Sequence, residues 1–163
     1  MDLAFNIDEY RQPDSTQAWA QAWATSNYGP ALAPQISQLM INYSMLAARR
    51  KYELMDMNVF SLVNYNEFDR VIAEWTALVS AAQAVYDQLP SNAKASFFEM
   101  ILHPSLAGMT LYQIYYAAAK NDLYAEQGRN SANQYLTQVI DWIDQDANLT
   151  MTYHGLLGMS ILQ

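Results

Sequence analysis

The sequence predicts an all-α fold, an antiparallel bundle of five or six helices around one core. Three observations point there. Apolar side chains recur every three or four residues along most of the chain, only 5 Gly and 5 Pro interrupt regular structure, and the helical stretches are joined by short turns. A chain of 163 residues is a one-domain length and hides roughly 70% of the surface that its unfolded form exposes. With 52% apolar residues, material for a core is ample, and a single helical domain over 1–163 is expected.

Taken in order, Trp19 and Trp23 stand one turn apart in a helix expected from about Asp14 to Ser26. Ala33-Pro34 places a proline where a helix can begin, and Ile36, Leu39, Met40, Tyr43, Leu46 and Ala47 continue on one face. The basic triplet Arg49-Arg50-Lys51 then complements the negative end of that helix's dipole. Between Glu53 and Tyr65 the period breaks, and Met57, Val59, Phe60, Leu62 and Val63 read as a packed loop.

The clearest stripe runs from about Asn66 to Leu89, carried by Val71, Ile72, Trp75, Leu78, Val79, Ala82, Val85, Tyr86 and Leu89. Asn66 is its expected N-cap, Leu89-Pro90 its stop, and Ser91-Asn92 the next cap. Phe97, Phe98, Ile101 and Leu102 follow, meet Pro104, and the pattern resumes through Leu106, Met109, Tyr112, Ile114, Tyr115 and Tyr116 to Tyr124. That describes two helices, or one kinked at the proline. After Gly128, Asn130 or Ser131 caps a helix with a stripe of Tyr135, Leu136, Val139, Ile140, Ile143 and Ala147, while Asp141, Asp144 and Asp146 read as a solvated face. A short helix after Thr150 completes the expected set.

Charged residues make up only 15% of the chain, against the roughly 25% usual in soluble domains. Part of the outside is therefore expected to be covered by another domain or subunit; the bland reading is a soluble monomer with a Gln, Asn and Ser surface. A formal charge of −8 with only eight Lys and Arg argues against nucleic acid as a partner. Without cysteine there is neither a disulfide framework nor a thiolate metal site. The start, Met1-Asp2-Leu3-Ala4-Phe5-Asn6, lacks a basic region and a continuous apolar run, and no stretch approaches the roughly 18 apolar residues of a membrane span. Neither an export signal nor a membrane partner is expected. Asn42-Tyr43-Ser44 and Asn148-Leu149-Thr150 are glycan acceptors only in a secreted eukaryotic chain.

Catalytic patterns are missing from the residues. Helical bundles hold metals through Glu-x-x-His pairs, and neither His103 nor His154 lies three positions after any of Glu9, Glu53, Glu67, Glu74, Glu99 or Glu126. His-Glu-x-x-His is absent too, and Gly29, Gly108, Gly128, Gly155 and Gly158 lie too far apart for a phosphate loop. Both histidines read as hydrogen-bonded structural residues. No cofactor is expected. One polar stretch stands out, Lys120-Asn121-Asp122-Leu123-Tyr124-Ala125-Glu126-Gln127-Gly128-Arg129-Asn130-Ser131-Ala132-Asn133. Capping accounts for Gly128 and one of Asn130 and Ser131, but leaves Lys120, Asn121 and Arg129 without a role.

That string, with Asn27-Tyr28-Gly29, Arg49-Arg50-Lys51, Ser61-Leu62-Val63-Asn64-Tyr65-Asn66-Glu67, Tyr86-Asp87-Gln88-Leu89-Pro90 and Phe97 to Pro104, resembles the helical domain of glycoside hydrolase family 115, the xylan α-1,2-glucuronidases. The resemblance spans nearly the whole chain in order. It implies a multidomain enzyme that removes 4-O-methyl-glucuronic acid from xylan with inversion, its carboxylates lying in a barrel that precedes the helical region. Inversion needs two carboxyl groups roughly 6.5 to 9.5 Å apart, and no such pair is nominated in this chain, so no catalytic residue is assigned. The implied partners are the barrel of the parent enzyme and a second copy in a homodimer, with glucuronoxylan reached only through the parent. Such parents are often secreted, which leaves the location of this chain unassigned.

Two departures accompany the resemblance. Ala119 stands where the family pattern has Gly, and after Tyr153-His154-Gly155-Leu156-Leu157-Gly158 the chain reads Met159-Ser160-Ile161-Leu162-Gln163 instead of Gly-Lys-Trp-Asn. A fragment lacking the barrel is the expectation. The first reading is a helical accessory domain, not catalytic alone, and the alternative is a freestanding helical protein-interaction module. Arg49, Arg50, Asn64, Asn66, Lys120, Asn121, Tyr124, Arg129, Asn130 and Asn133 are the candidates for contact with another domain or for the rim of its pocket.

Overall fold

The computed structural model describes residue 6 and residues 8–156. The segments read for a signal (1–5) and for a departure from the family pattern (159–163) lie outside the described residues. A 3₁₀ turn (Glu9–Arg11) leads into α1 (Ser15–Tyr28) and α2 (Ala33–Ala47), and a second 3₁₀ turn (Tyr52–Leu54) opens the connection to α3 (Glu67–Gln88). The segments α4 (Ser91–Phe97), a π turn (Phe98–Leu102) and α5 (His103–Glu126) follow without interruption, and α6 (Ala132–Leu156) ends the described chain. The fold is all-α, with no strand among the described residues.

Packing follows chain order: α1 lies on α2, α2 on α3, α3 on α5, and α5 on α6. Short connections at 29–32 and 127–131 fold α1 with α2 and α5 with α6 into helical hairpins. The stripe on α3 is the spine of the core. Val71, Trp75, Leu78, Ala82 and Val85, followed by Leu89, are buried at alternating spacings of three and four, whereas Ile72, Val79 and Tyr86 are half-buried at its edge. The loop before α3 packs largely as expected, with Met55 buried and Met57, Val59, Phe60 and Leu62 against the core. Val63 does not follow them and is 72% exposed.

Where the sequence allowed two helices or a kink at Pro104, the path is continuous and widens into a π turn just before the proline, the His103 N–H bonding the Phe98 carbonyl. A proline lacks the N–H that continues the ladder and crowds the carbonyl four residues back, so a wider turn at that point relieves both. Buried Ser105 adds a hydroxyl bond to the Ile101 carbonyl at 2.7 Å.

Three local expectations are corrected. Asn66 occupies the N-cap position of α3, but its side chain makes no cap bond. Pro90, not Ser91 or Asn92, precedes α4, and Ser91 is its first residue. The short helix after Thr150 is the end of α6. A fourth correction matters more. Of the stripe expected to face the core on α6, Tyr135 and Val139 are half-buried, while Leu136, Ile140, Ile143 and Ala147 are exposed. Because α6 rests chiefly on α5, one side of the helix suffices for that contact, and its apolar face is wider than the side that is covered.

α3 and α5 approach closely at Gly108. A Cβ there would lie 2.5 Å from Cη2 of Trp75, 2.6 Å from Cζ3 and 3.0 Å from the Tyr52 hydroxyl. Trp75 is fully buried and rigidly boxed, with its ring 5.2 Å from Tyr112 and 6.1 Å from Tyr43. Gly108→Ala would gain about 1 kcal/mol of helix propensity. Overpacking typically costs about 1–3 kcal/mol, and an indole with nowhere to move belongs at the upper end. Urea denaturation should therefore show Gly108→Ala less stable than the parent by about 1–2 kcal/mol, net of these two effects.

Candidate interaction surface

The residues singled out in sequence gather at one end of the bundle. There the last turn of α2, the first turns of α3, the last turns of α5 and the start of α6 come together, tied by two ion pairs. Arg49, just beyond α2, pairs with Glu74 of α3, and Lys120 of α5 pairs with Asp69 of α3 at 3.0 Å. Arg50 turns the other way, its Nε donating to the Leu54 carbonyl at 2.9 Å.

The loop at 61–67 is built around Ser61. Its hydroxyl accepts the N–H groups of Val63 (3.2 Å) and Asn64 (2.8 Å), its own N–H donates to Glu67 Oε2 (2.8 Å), and its carbonyl accepts the Phe68 N–H (3.0 Å). These bonds hold Tyr65 and Asn66 at φ +58° and +49°, in the left-handed region that costs a residue with a side chain roughly 1–2 kcal/mol. The result is an exposed tip where Tyr65, 89% exposed, stands between the carboxamides of Asn64 and Asn66. Sequence reasoning named the two asparagines and missed Tyr65. Its exposure follows from a backbone conformation that hydrophobic periodicity does not register.

The Lys120 to Asn133 stretch divides into inward and outward groups. Lys120 Nζ and the Tyr116 hydroxyl both donate to Asp69 Oδ1, at 3.0 and 2.5 Å, and the ammonium also lies 4.7 Å from the centre of the Tyr116 ring. Burial alone would raise the Asp69 pKa, but the bonds from Tyr116 and Lys120 outweigh it and hold the carboxyl below its ordinary value. Burial would likewise lower Lys120, yet Tyr116 and Asp69 beside it push it well above the usual lysine range. Asn121 Nδ2 donates to the Ala132 carbonyl at 2.8 Å, pinning α5 to the start of α6.

Gly128, at φ +66°, ends α5 in a Schellman turn, its N–H bonding the Ala125 carbonyl and the Arg129 N–H that of Tyr124. The Arg129 guanidinium lies 4.6 Å over the Tyr124 ring, which meets Tyr135 edge-on at 5.2 Å. The turn thus has internal tasks for Lys120, Asn121 and Arg129 that capping left over. Asn130 and Asn133 are exposed.

Within this arrangement Arg49 neutralises Glu74 and Lys120 neutralises Asp69. Among the described residues no three His, Asp or Glu side chains form a group able to hold a metal ion. His103 packs between Phe98 (5.7 Å) and Tyr153 (4.5 Å), where burial lowers its pKa, and His154 meets the Tyr153 ring at 5.6 Å. His103, at the start of α5, thus meets α6 through the Tyr153 ring, whereas His154 contacts its chain neighbour on the same helix.

Asp69→Asn should lower stability by about 1–2 kcal/mol, less than for a fully buried pair because the carboxylate is partly in water. Adding Lys120→Met should recover part of that loss. Since the folded pKa of Asp69 lies below its unfolded value, its contribution is complete above about pH 4 and is lost as pH falls through the folded pKa. Thermal melts between pH 7 and pH 2 should show a shallower acid limb for Asp69→Asn than for the parent.

Comparison with known proteins locates the resemblance. Residues 1–54, which include α1, α2 and the Arg49-Arg50-Lys51 triplet, match the model of glycosyl hydrolase family 115. The strings at 61–67, 86–90, 97–104 and 120–133 lie outside the matched residues. No curated protein matches the chain. Through its first 54 residues, this helical chain carries a segment related to glycosyl hydrolase family 115.

Proposed function

We propose that the chain is a helical accessory module of a family 115 xylan α-1,2-glucuronidase, packing against the catalytic barrel of its parent enzyme and not hydrolysing substrate alone. The match over residues 1–54 supports the parentage. The observation that supports docking is the outer face of α6. Leu136, Ile140, Ile143 and Met151 are exposed by 53%, 54%, 51% and 64%, and their spacing, continued by Ala147, aligns them along one side of the helix. Contiguous apolar stripes on a protein surface mark places where another surface belongs.

The charge around the stripe narrows the partner. Asp141, Asp144 and Asp146 are exposed on the same helix, which has no Lys or Arg from Ala132 to Leu156. A second copy meeting this face would bring acidic rows together, whereas a barrel surface edged with Lys or Arg would complement them. The tip at Asn64, Tyr65 and Asn66, together with Arg129, Asn130 and Asn133, supplies further groups for the rim of that contact.

The test mixes the chain with a separately expressed family 115 barrel and follows complex formation by sedimentation velocity. A complex is expected, and Ile140→Glu with Ile143→Glu should weaken it by about tenfold or more while leaving the helical circular dichroism unchanged. A chain that stays monomeric beside the barrel would favour the freestanding module. Uronic acid released from glucuronoxylan by the purified chain would overturn the non-catalytic role.

A further inference from the structure

A groove of about 940 Å³ runs between one side of α1 and the segment that precedes it. Its aromatic lining comes from Tyr10 on that segment and from Trp19 and Trp23 on α1, and Asp14 is the one charged side chain it contains. We propose that this groove binds a proline-rich peptide in the polyproline II conformation.

The form of the groove follows from the order of residues on α1. Ser15, Ala18, Ala22 and Ser26 line it at spacings of three and four, so the face of the helix that it exposes carries small side chains. Trp19 and Trp23, both half-buried, flank that row and stand one turn apart. The segment carrying Tyr10 is tied to the helix by Ser15, whose hydroxyl donates to the Tyr10 carbonyl at 2.8 Å and whose N–H donates to the Gln12 carbonyl at 3.2 Å. From Ser15 to Ser26 the row is about 16 Å long at roughly 1.5 Å per residue. A polyproline II chain rises about 3.1 Å per residue, so about five of its residues, enough for one P-x-x-P repeat, lie along the row.

A polyproline II chain makes no internal hydrogen bonds, and its prolines have no N–H to satisfy. It therefore needs apolar contact for its rings and donors for its carbonyls. Trp19 and Trp23 offer both: their indoles present broad flat surface, and neither indole N–H has a partner among the described residues. A partner in β-strand form would need a backbone edge to pair with, which the side of a helix does not provide. A charged partner helix would find little to complement it, since α1 holds no Asp, Glu, Lys or Arg. A rigid uncharged chain suits an aromatic groove of this kind, because little conformational entropy is lost when it docks. None of this depends on α6 or on the parent barrel.

The full chain is titrated with a proline decamer, with a Gly-Ser decamer that has the same backbone carbonyls and no rings, and with the β-1,4-linked hexasaccharide of xylose. Calorimetry reports binding. A saturable response to the proline decamer, and none to the other two, is expected. Ala22 is exposed on α1, so Ala22→Gln should obstruct the groove and weaken binding about tenfold or more while leaving the helical circular dichroism unchanged. Trp19→Ala should weaken it by a similar factor, and Trp142→Phe on α6 should leave it unchanged. No saturable response to the proline decamer, equal or tighter binding of either other probe, or full affinity in Ala22→Gln would overturn the proposal.

Discussion

Trp75 fits between α3 and α5 because residue 108 has no side chain. With a Cβ at 2.5 Å from the indole, the two helices would have to separate, and the ring sequence that fills the space between them would lose its spacing. Phe60 meets Phe68 at 5.3 Å and Tyr112 at 5.8 Å, and Phe68 meets Tyr116 at 5.3 Å, so the aromatic core runs from Trp75 to the end of the bundle. Tyr116 then hands over to polar chemistry, its hydroxyl on Asp69 beside Lys120. The end of the bundle, with its exposed loops, is set by how closely α3 and α5 meet in the middle.

Much of this was legible in the residues. The α3 stripe is periodic over six turns and its burial follows that period, because a helix packed on two sides needs a wide apolar face. Pro104 announced a distortion without saying which, since a kink and a π turn both answer a missing N–H. Less legible was anything that depends on the partner of an element. The apolar face of α6 reads as core by periodicity, yet in this chain α6 has chiefly α5 beside it, and Leu136, Ile140 and Ile143 face outward. Lys120, Asn121 and Arg129 looked unoccupied because their partners, Asp69, the Ala132 carbonyl and the Tyr124 ring, include one 51 residues away.

The molecule therefore has two unlike surfaces joined by a conventional helical core. One is the outer face of α6, apolar and acidic, of the kind that protein surfaces cover. The other is the groove beside α1, lined by Tyr10, Trp19 and Trp23 with the carboxamides of Gln12 and Asn27. The low overall charge noticed in the composition belongs largely to α1 and α2, which hold no Asp, Glu, Lys or Arg between Ser15 and Tyr28 or between Ala33 and Ala47. The family-related segment, residues 1–54, contains the second.

Native-state amide hydrogen exchange on the free chain tests the central claim most directly, that the core is the α3–α5 contact and that α6 lacks a covering layer. Amides of α3 and α5 should exchange slowest, near the rate of global unfolding, while those on the outer side of α6 should exchange orders of magnitude faster through local opening. Protection of α6 equal to that of α3 in the free chain would contradict it, because its outer face would then already be covered.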